Sequence, residues 1–122
     1  MDAHQVIEEL RGPTRELRRA LPQVWEGFGQ LHQQAVTDGV LPRRIKELIA
    51  VAIAVTEGCD GCIAYHTRAA ARAGASEAEA AEAIGVALLM RGGPASVHGP
   101  VALDMFRQFA ADTTAVPVAA GG

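Results

Sequence analysis

Residues 43–74 read RRIKELIAVAIAVTEGCDGCIAYHTRAAARAG. Two helical patterns meet at Gly58. Before it, Ile45, Leu48, Ile49, Val51, Ala52, Ile53 and Val55 are apolar on nearly every side, which predicts a central, buried helix started by Pro42. After it, a second helix is expected from about Asp60 to Ala73, with Gly74 as its stop. A chain reversal around Gly58 would set the two antiparallel and pair residue 47 with about residue 68.

The flanks extend the same pattern. Pro22 suits the first turn of a helix running to about Val36, where a missing N–H costs nothing. Val24, Trp25, Phe28, Leu31 and Ala35 follow helical spacing, and Asp38-Gly39 ends that helix. Upstream, Gly12-Pro13 is expected to break a short N-terminal helix. Downstream, Ser76 and Glu79 have the spacing of a capping box that opens a helix to about Met90. Gly92-Gly93-Pro94 starts a last helix through Val97, Val101, Leu103, Phe106 and Phe109. The expectation is an all-α bundle of five or six helices, a single domain over residues 1–112, with 113–122 as a flexible C-terminal tail.

Composition agrees. The chain has 122 residues, 24 of them alanine and only five aromatic. Alanine favours helix over strand, so a sandwich or barrel is disfavoured. Short alanine side chains leave each helix a thin apolar face, which points to further burial between subunits and hence a homo-oligomer. The net charge is −3 and Lys46 is the sole lysine. Nucleic-acid binding needs clustered positive charge, so no nucleic-acid partner is expected. Arg15, Arg18 and Arg19 lie beside Glu8, Glu9 and Glu16 and read as a solvated face. No apolar run reaches the ~18 residues of a membrane span, and MDAHQVIEEL does not read as a signal peptide. The expected location is cytoplasmic.

Chemistry is concentrated in Cys59, Cys62 and His66. Positions three and four apart share a helix face, so the three side chains form one stripe. A helix N-terminus favours thiolate over thiol. His66, one turn on, can move a proton near neutral pH. In the antiparallel hairpin the Glu47 carboxylate comes within about a helical turn, ~5 Å, of His66 and can orient the imidazole and stabilise its charged form. Such a set supports attack of one thiolate on an oxidant and closure of a disulfide by its neighbour. Glu47 has a structural alternative as an ion-pair partner of Arg68, Arg43 or Arg44. His32 and His98 read as structural, His4 as a solvated terminal residue, and Tyr65 and Trp25 as core or interface. A zinc site on Cys59, Cys62 and His66 competes, but its fourth ligand would be His32 or His98, neither at motif spacing. A thioredoxin-type enzyme needs a βαβ context that is absent from the pattern.

Lys46-Glu47-Leu48-Ile49-Ala50 followed by Cys59-x-x-Cys62-x-x-x-His66, with twelve residues from the glutamate to the first cysteine, resembles the AhpD-like alkylhydroperoxidases of the carboxymuconolactone decarboxylase superfamily. Phe28 to His32, Asp38-Gly39, Gly74-Ala75 and Met90-Arg91-Gly92-Gly93-Pro94 fit the same pattern, so the resemblance covers about residues 20–108. It implies a helical fold assembling as trimers or hexamers, and thiol-dependent peroxidase or disulfide-reductase activity without metal or organic cofactor. By position, Cys62 would form the sulfenic acid, Cys59 would donate a proton and close the disulfide, and His66 and Glu47 would relay protons. Some members carry a histidine just before the second cysteine; Gly61 stands there in this chain, which shortens the relay.

The expected function is reduction of organic hydroperoxides, or of a partner disulfide, with a protein or low-molecular-weight thiol as reductant. Two alternatives stand beside it. One is a carboxymuconolactone decarboxylase-like lyase, although the decarboxylase members lack the cysteine pair. The other is a non-catalytic redox-sensing oligomer.

Overall fold

The computed structural model describes residues 1–115, and of Ala115 the backbone alone. Six helices follow one another: α1 (Ala3–Ala20), α2 (Pro22–Val36), α3 (Arg43–Glu57), α4 (Asp60–Arg72), α5 (Glu77–Arg91) and α6 (Gly93–Ala115). There is no strand among the described residues. The fold is the expected all-α bundle. Among the described residues no helix is long and apolar enough to cross a membrane.

Local chemistry sets the boundaries. Pro22 occupies the first turn of α2. The Asp38 carboxylate accepts the Arg43 N–H at 2.6 Å and caps α3. The Ser76–Glu79 capping box opens α5 with both reciprocal bonds in place, which satisfies two N–H groups that a helix start leaves unpaired.

Two boundaries differ from expectation. Gly12-Pro13 does not break α1, which runs continuously with Pro13 inside it. Proline forfeits one i→i−4 bond and crowds the carbonyl of Glu9. Both residues are exposed, so water takes the place of the lost partner. At the other end, Thr113–Ala115 continue α6; the rest of the expected tail, residues 116–122, lies outside the described residues.

Helices α3 and α6 pack on each other and on both α4 and α5, α1 lies across α4, and α2 is backed by α1 and α3 and faces α4 through side chains. The core is built from Val51 and Val55 of α3, Ile63 of α4, Ile84 of α5 and Met105 and Phe106 of α6. The start of α1 is tied to α6, where Gln108 Oε1 accepts the Ala3 N–H at 2.8 Å and His4 Nε2 meets Asp112 Oδ2 at 2.6 Å. His4 therefore joins two helices and is more than a solvated terminal residue.

Helix α3 is central but buried on fewer sides than its pattern implies. Ile49 and Ile53 are exposed, and with Val86 and Met90 of α5 they line an apolar groove of about 540 Å³. Helix α2 buries only Val36, and Val24, Phe28 and Leu31 face outward.

Candidate active site

The α3–α4 turn builds the site. Gly58 ends α3 in the left-handed region at φ 67°, and its N–H reaches the carbonyls of Ala54 and Val55. A Cβ here would stand 2.8 Å from His98 Nε2. Backbone conformation and close approach thus both require glycine. The turn delivers Cys59 as the N-cap of α4, its Sγ accepting the Cys62 N–H at 3.2 Å. Cys59 and Cys62 form a disulfide. Cys62 is exposed and Cys59 partly so.

The same reversal brings Glu47 to His66. Glu47 is fully buried, and its Oε2 lies 2.8 Å from His66 Nδ1. The expected pairing across the hairpin is present, and the alternative partners Arg43, Arg44 and Arg68 are not used. Arg44 instead binds Glu79 at 3.0 Å. With Nδ1 held, His66 has a fixed ring orientation, and its other nitrogen serves the cleft. Glu47 Oε1 has no hydrogen-bond partner. A buried carboxylate with one oxygen unpaired is costly, and such groups gather at functional sites.

Two clefts reach the disulfide. One, of about 700 Å³, lies under α1 and touches Cys59 and Cys62; its charged lining side chains are Asp2, Glu9 and Asp60, and Met1 lines it as well. The other, of about 760 Å³, lies between α2 and α4 and touches Cys62 and His66; its charged lining groups are Arg43, Arg68 and Arg72. Cys62 and Tyr65 are shared by both. The Arg68 guanidinium sits 5.5 Å from the centre of the Tyr65 ring. Burial, then the neighbouring Arg72 charge, pushes Arg68 below the usual arginine value; it stays cationic at neutral pH.

Several residues read as structural stand at this site. Trp25 and Phe28 of α2, 5.8 Å apart between ring centroids, line the basic cleft. His32 lines it as well, its ring 6.0 Å from that of His66. Donor atoms of His32, Glu47 and His66 lie within 4.8 Å of one another. That donor set suits a transition metal and differs from the Cys59, Cys62 and His66 set considered from sequence, whose sulfurs are engaged in the disulfide. The signal for the α2 residues was their spacing: Trp25, Phe28 and His32 fall three and four apart on one face. His98 instead packs on the Gly58 turn.

Gly61 has a physical reason. A Cβ there would meet Leu10 Cδ1 of α1 at 2.9 Å. A histidine in this place would push Leu10 aside, so α1 occupies the space that the longer relay would need.

The comparisons with known proteins agree with this fold. An uncharacterized protein of Cupriavidus necator is 40% identical over 100 residues, covering 82% of this chain and 88% of the relative. An uncharacterized protein from the cox locus of Paracoccus denitrificans is 41% identical over 88 residues, 72% of this chain and 79% of the relative. The crystal structure of a carboxymuconolactone decarboxylase family protein from Legionella pneumophila superposes with a TM-score of 0.85 at 33% identity, over 88% of this chain and 96% of that one. The sequence profile of the carboxymuconolactone decarboxylase family matches residues 22–104, from the start of α2 well into α6. That span holds both helices of the cysteine hairpin and its Glu47–His66 pair, and the chain belongs to the carboxymuconolactone decarboxylase family.

Proposed function

We propose that this chain is an AhpD-like thiol peroxidase and disulfide oxidoreductase. The observation that carries the reading is that His66, bonded to the buried Glu47, lines the same cleft as the exposed Cys62 of a Cys-x-x-Cys disulfide. In the reduced protein, the Cys62 thiolate attacks the outer oxygen of an organic hydroperoxide. The O–O bond breaks, Cys62 becomes a sulfenic acid, and the alkoxide takes a proton to leave as alcohol. His66, oriented by Glu47, supplies that proton. The Cys59 thiol then attacks the sulfenic sulfur; water leaves and the disulfide closes. A dithiol reductant restores both thiols and becomes a disulfide itself. Cycling of this kind suits a reducing compartment such as the cytoplasm.

The outward apolar residues of α2, and the groove formed by Ile49, Ile53, Val86 and Met90, support assembly as a homo-oligomer, a trimer or hexamer by the family's habit. Light scattering at micromolar concentration tests it; a monomer would remove this part of the proposal.

The test of function is the intact mass of fully reduced protein after one equivalent of cumene hydroperoxide, with peroxide consumption followed in parallel. Loss of two hydrogens per peroxide consumed is expected, and Cys62→Ser should abolish it. An unchanged mass with both thiols free would refute the peroxidase and shift the reading to proton transfer by Glu47 and His66, as in a lyase.

A further inference from the structure

The cleft between α2 and α4 has a chemistry beyond its reactive sulfur. Its floor is one face of α4, along which Cys62, Tyr65, His66, Ala69 and Arg72 succeed one another at helical spacing. Its opposite wall is aromatic, from Trp25 and Phe28. Its charge is of one sign: Arg43, Arg68 and Arg72 line it with no carboxylate among the lining residues. Among the described residues none of the three takes part in an ion pair, whereas the adjacent Arg44 is neutralised by Glu79. Arg68 and Arg72 stand four apart on one helix, a like-charge spacing that weakens a helix on its own. A local choice against stability, placed beside a reactive group, marks a site that expects a ligand. The other approach to the disulfide is predominantly of the opposite sign, with Asp2, Glu9 and Asp60 against the single amino group of Met1. An anion is therefore drawn to Cys62 through one cleft and repelled from the other.

We propose that the α2–α4 cleft binds a small carboxylate-bearing molecule with an aromatic or apolar body, its carboxylate held by Arg68 and Arg72 and its far end at Cys62. Arg68 and Arg72 lie six and ten residues beyond Cys62, so the ligand spans roughly 9–15 Å at 1.5 Å rise per residue. Guanidinium groups suit a carboxylate because their forked donors match its two oxygens. Trp25 and Phe28 cover the apolar body. That the far end is a hydroperoxide rests on the peroxidase reading; the anion site does not.

Trp25 is the sole tryptophan and lines the cleft, so its fluorescence reports occupancy. Oxidised protein, disulfide intact, is titrated with 4-phenylbutyrate and with 4-phenyl-1-butanol. The carboxylate should bind at least tenfold more tightly than the alcohol, with a preference that shrinks as salt is raised. In Arg68→Gln/Arg72→Gln the preference should disappear. Equal affinities in the wild-type protein, no saturable binding of the carboxylate, or a preference that survives in the double variant would each overturn the site. No peroxide is consumed in this titration, so its outcome is independent of the peroxidase reading. Reduced protein is then offered a fatty-acid hydroperoxide and its methyl ester. Faster consumption of the acid, by tenfold or more, supports the site. Equal rates would overturn it while leaving the thiol peroxidase intact. Consumption of neither would refute the peroxidase, and the titration alone would then decide the anion site.

Discussion

Removing the imidazole of His66 tests whether Glu47 is held as a buried, singly partnered acid. Glu47 is fully buried, its Oε2 is bonded to His66 at 2.8 Å, and its Oε1 has no partner. His66→Ala leaves neither oxygen with a partner. Breaking a buried charged pair from one side costs about 3–5 kcal/mol, because the remaining charge is uncompensated. His66 is itself only partly buried, so the loss of its own apolar burial adds little to this cost. Glu47→Met on the same background removes the stranded carboxylate at similar side-chain length. The double variant should therefore be more stable than His66→Ala alone, by about 2 kcal/mol or more. The assay is urea unfolding followed by helical circular dichroism, with the disulfide intact and protein concentration fixed. At a slope of about 2 kcal/mol per molar urea, a loss of 4 kcal/mol moves the midpoint down by about 2 M. A single variant within 1 kcal/mol of wild type would refute this account, as would a double variant no more stable than the single.

Gly58→Ala should destabilise by at least about 1 kcal/mol through its left-handed φ alone. His98→Ala in that background should recover part of the loss, because the new methyl would meet His98 Nε2 at 2.8 Å; urea midpoints of the two variants decide it. Phe106→Ala should cost about 3–5 kcal/mol, since Phe106 is 1% exposed at the centre of the helical core; a loss under 1 kcal/mol would contradict the packing. Glu79 is held below the usual carboxylate range by the Ser76 backbone N–H, with Arg44 adding to the effect. Its folded value is lower than its unfolded one, so its contribution is present above the unfolded value and lost as pH falls through the folded one. The stability gap between wild type and Glu79→Gln, measured by thermal unfolding, should therefore be wider at pH 7 than at pH 3.

Which features were legible in the sequence follows from how locally each is determined. The α3–α4 hairpin was legible because a glycine break and two helical patterns fix both the reversal and the pairing. From these Glu47 falls opposite His66 without knowledge of any other helix. The Ser76–Glu79 start of α5 was legible for the same reason, since both partners lie within one turn. Pro13 was misread because proline reports a lost hydrogen bond, not whether water can replace it, and that depends on the exposure of α1. Gly61 carried a spacing signal but no reason; the reason is Leu10, fifty-one residues earlier on a helix whose crossing over α4 no local pattern encodes. His32, Trp25 and Arg72 were invisible as neighbours because they meet only when α2 is laid against α4. The apolar character of Ile49 and Ile53 was read as burial within the chain. Their outward position shows that periodicity records which face avoids water, not what covers it.

The distribution of packing across the helices bears on where adaptability resides. Helix α4 carries Cys62, His66, Arg68 and Arg72 on a frame whose inner side is anchored by Ile63, Ala64, Thr67, Ala70 and Ala71, all buried. Thr67 Oγ1 donates to the Ile63 carbonyl at 2.6 Å, so even its one buried hydroxyl is satisfied within the helix. The reacting sulfur, the relay and the guanidinium groups thus sit on a well-fixed element, as positioning at hydrogen-bond precision requires. The opposite wall is α2, which supplies Trp25, Phe28 and His32 yet buries only Val36. Elements with few buried apolar contacts open at low free-energy cost. Within one protomer the cleft therefore pairs a rigid chemical floor with a yielding aromatic wall. Such an arrangement keeps the Glu47–His66–Cys62 geometry constant while the apolar body of the ligand varies. Fixed charge positions on α4 then set what is accepted, and α2 sets only how closely it is covered.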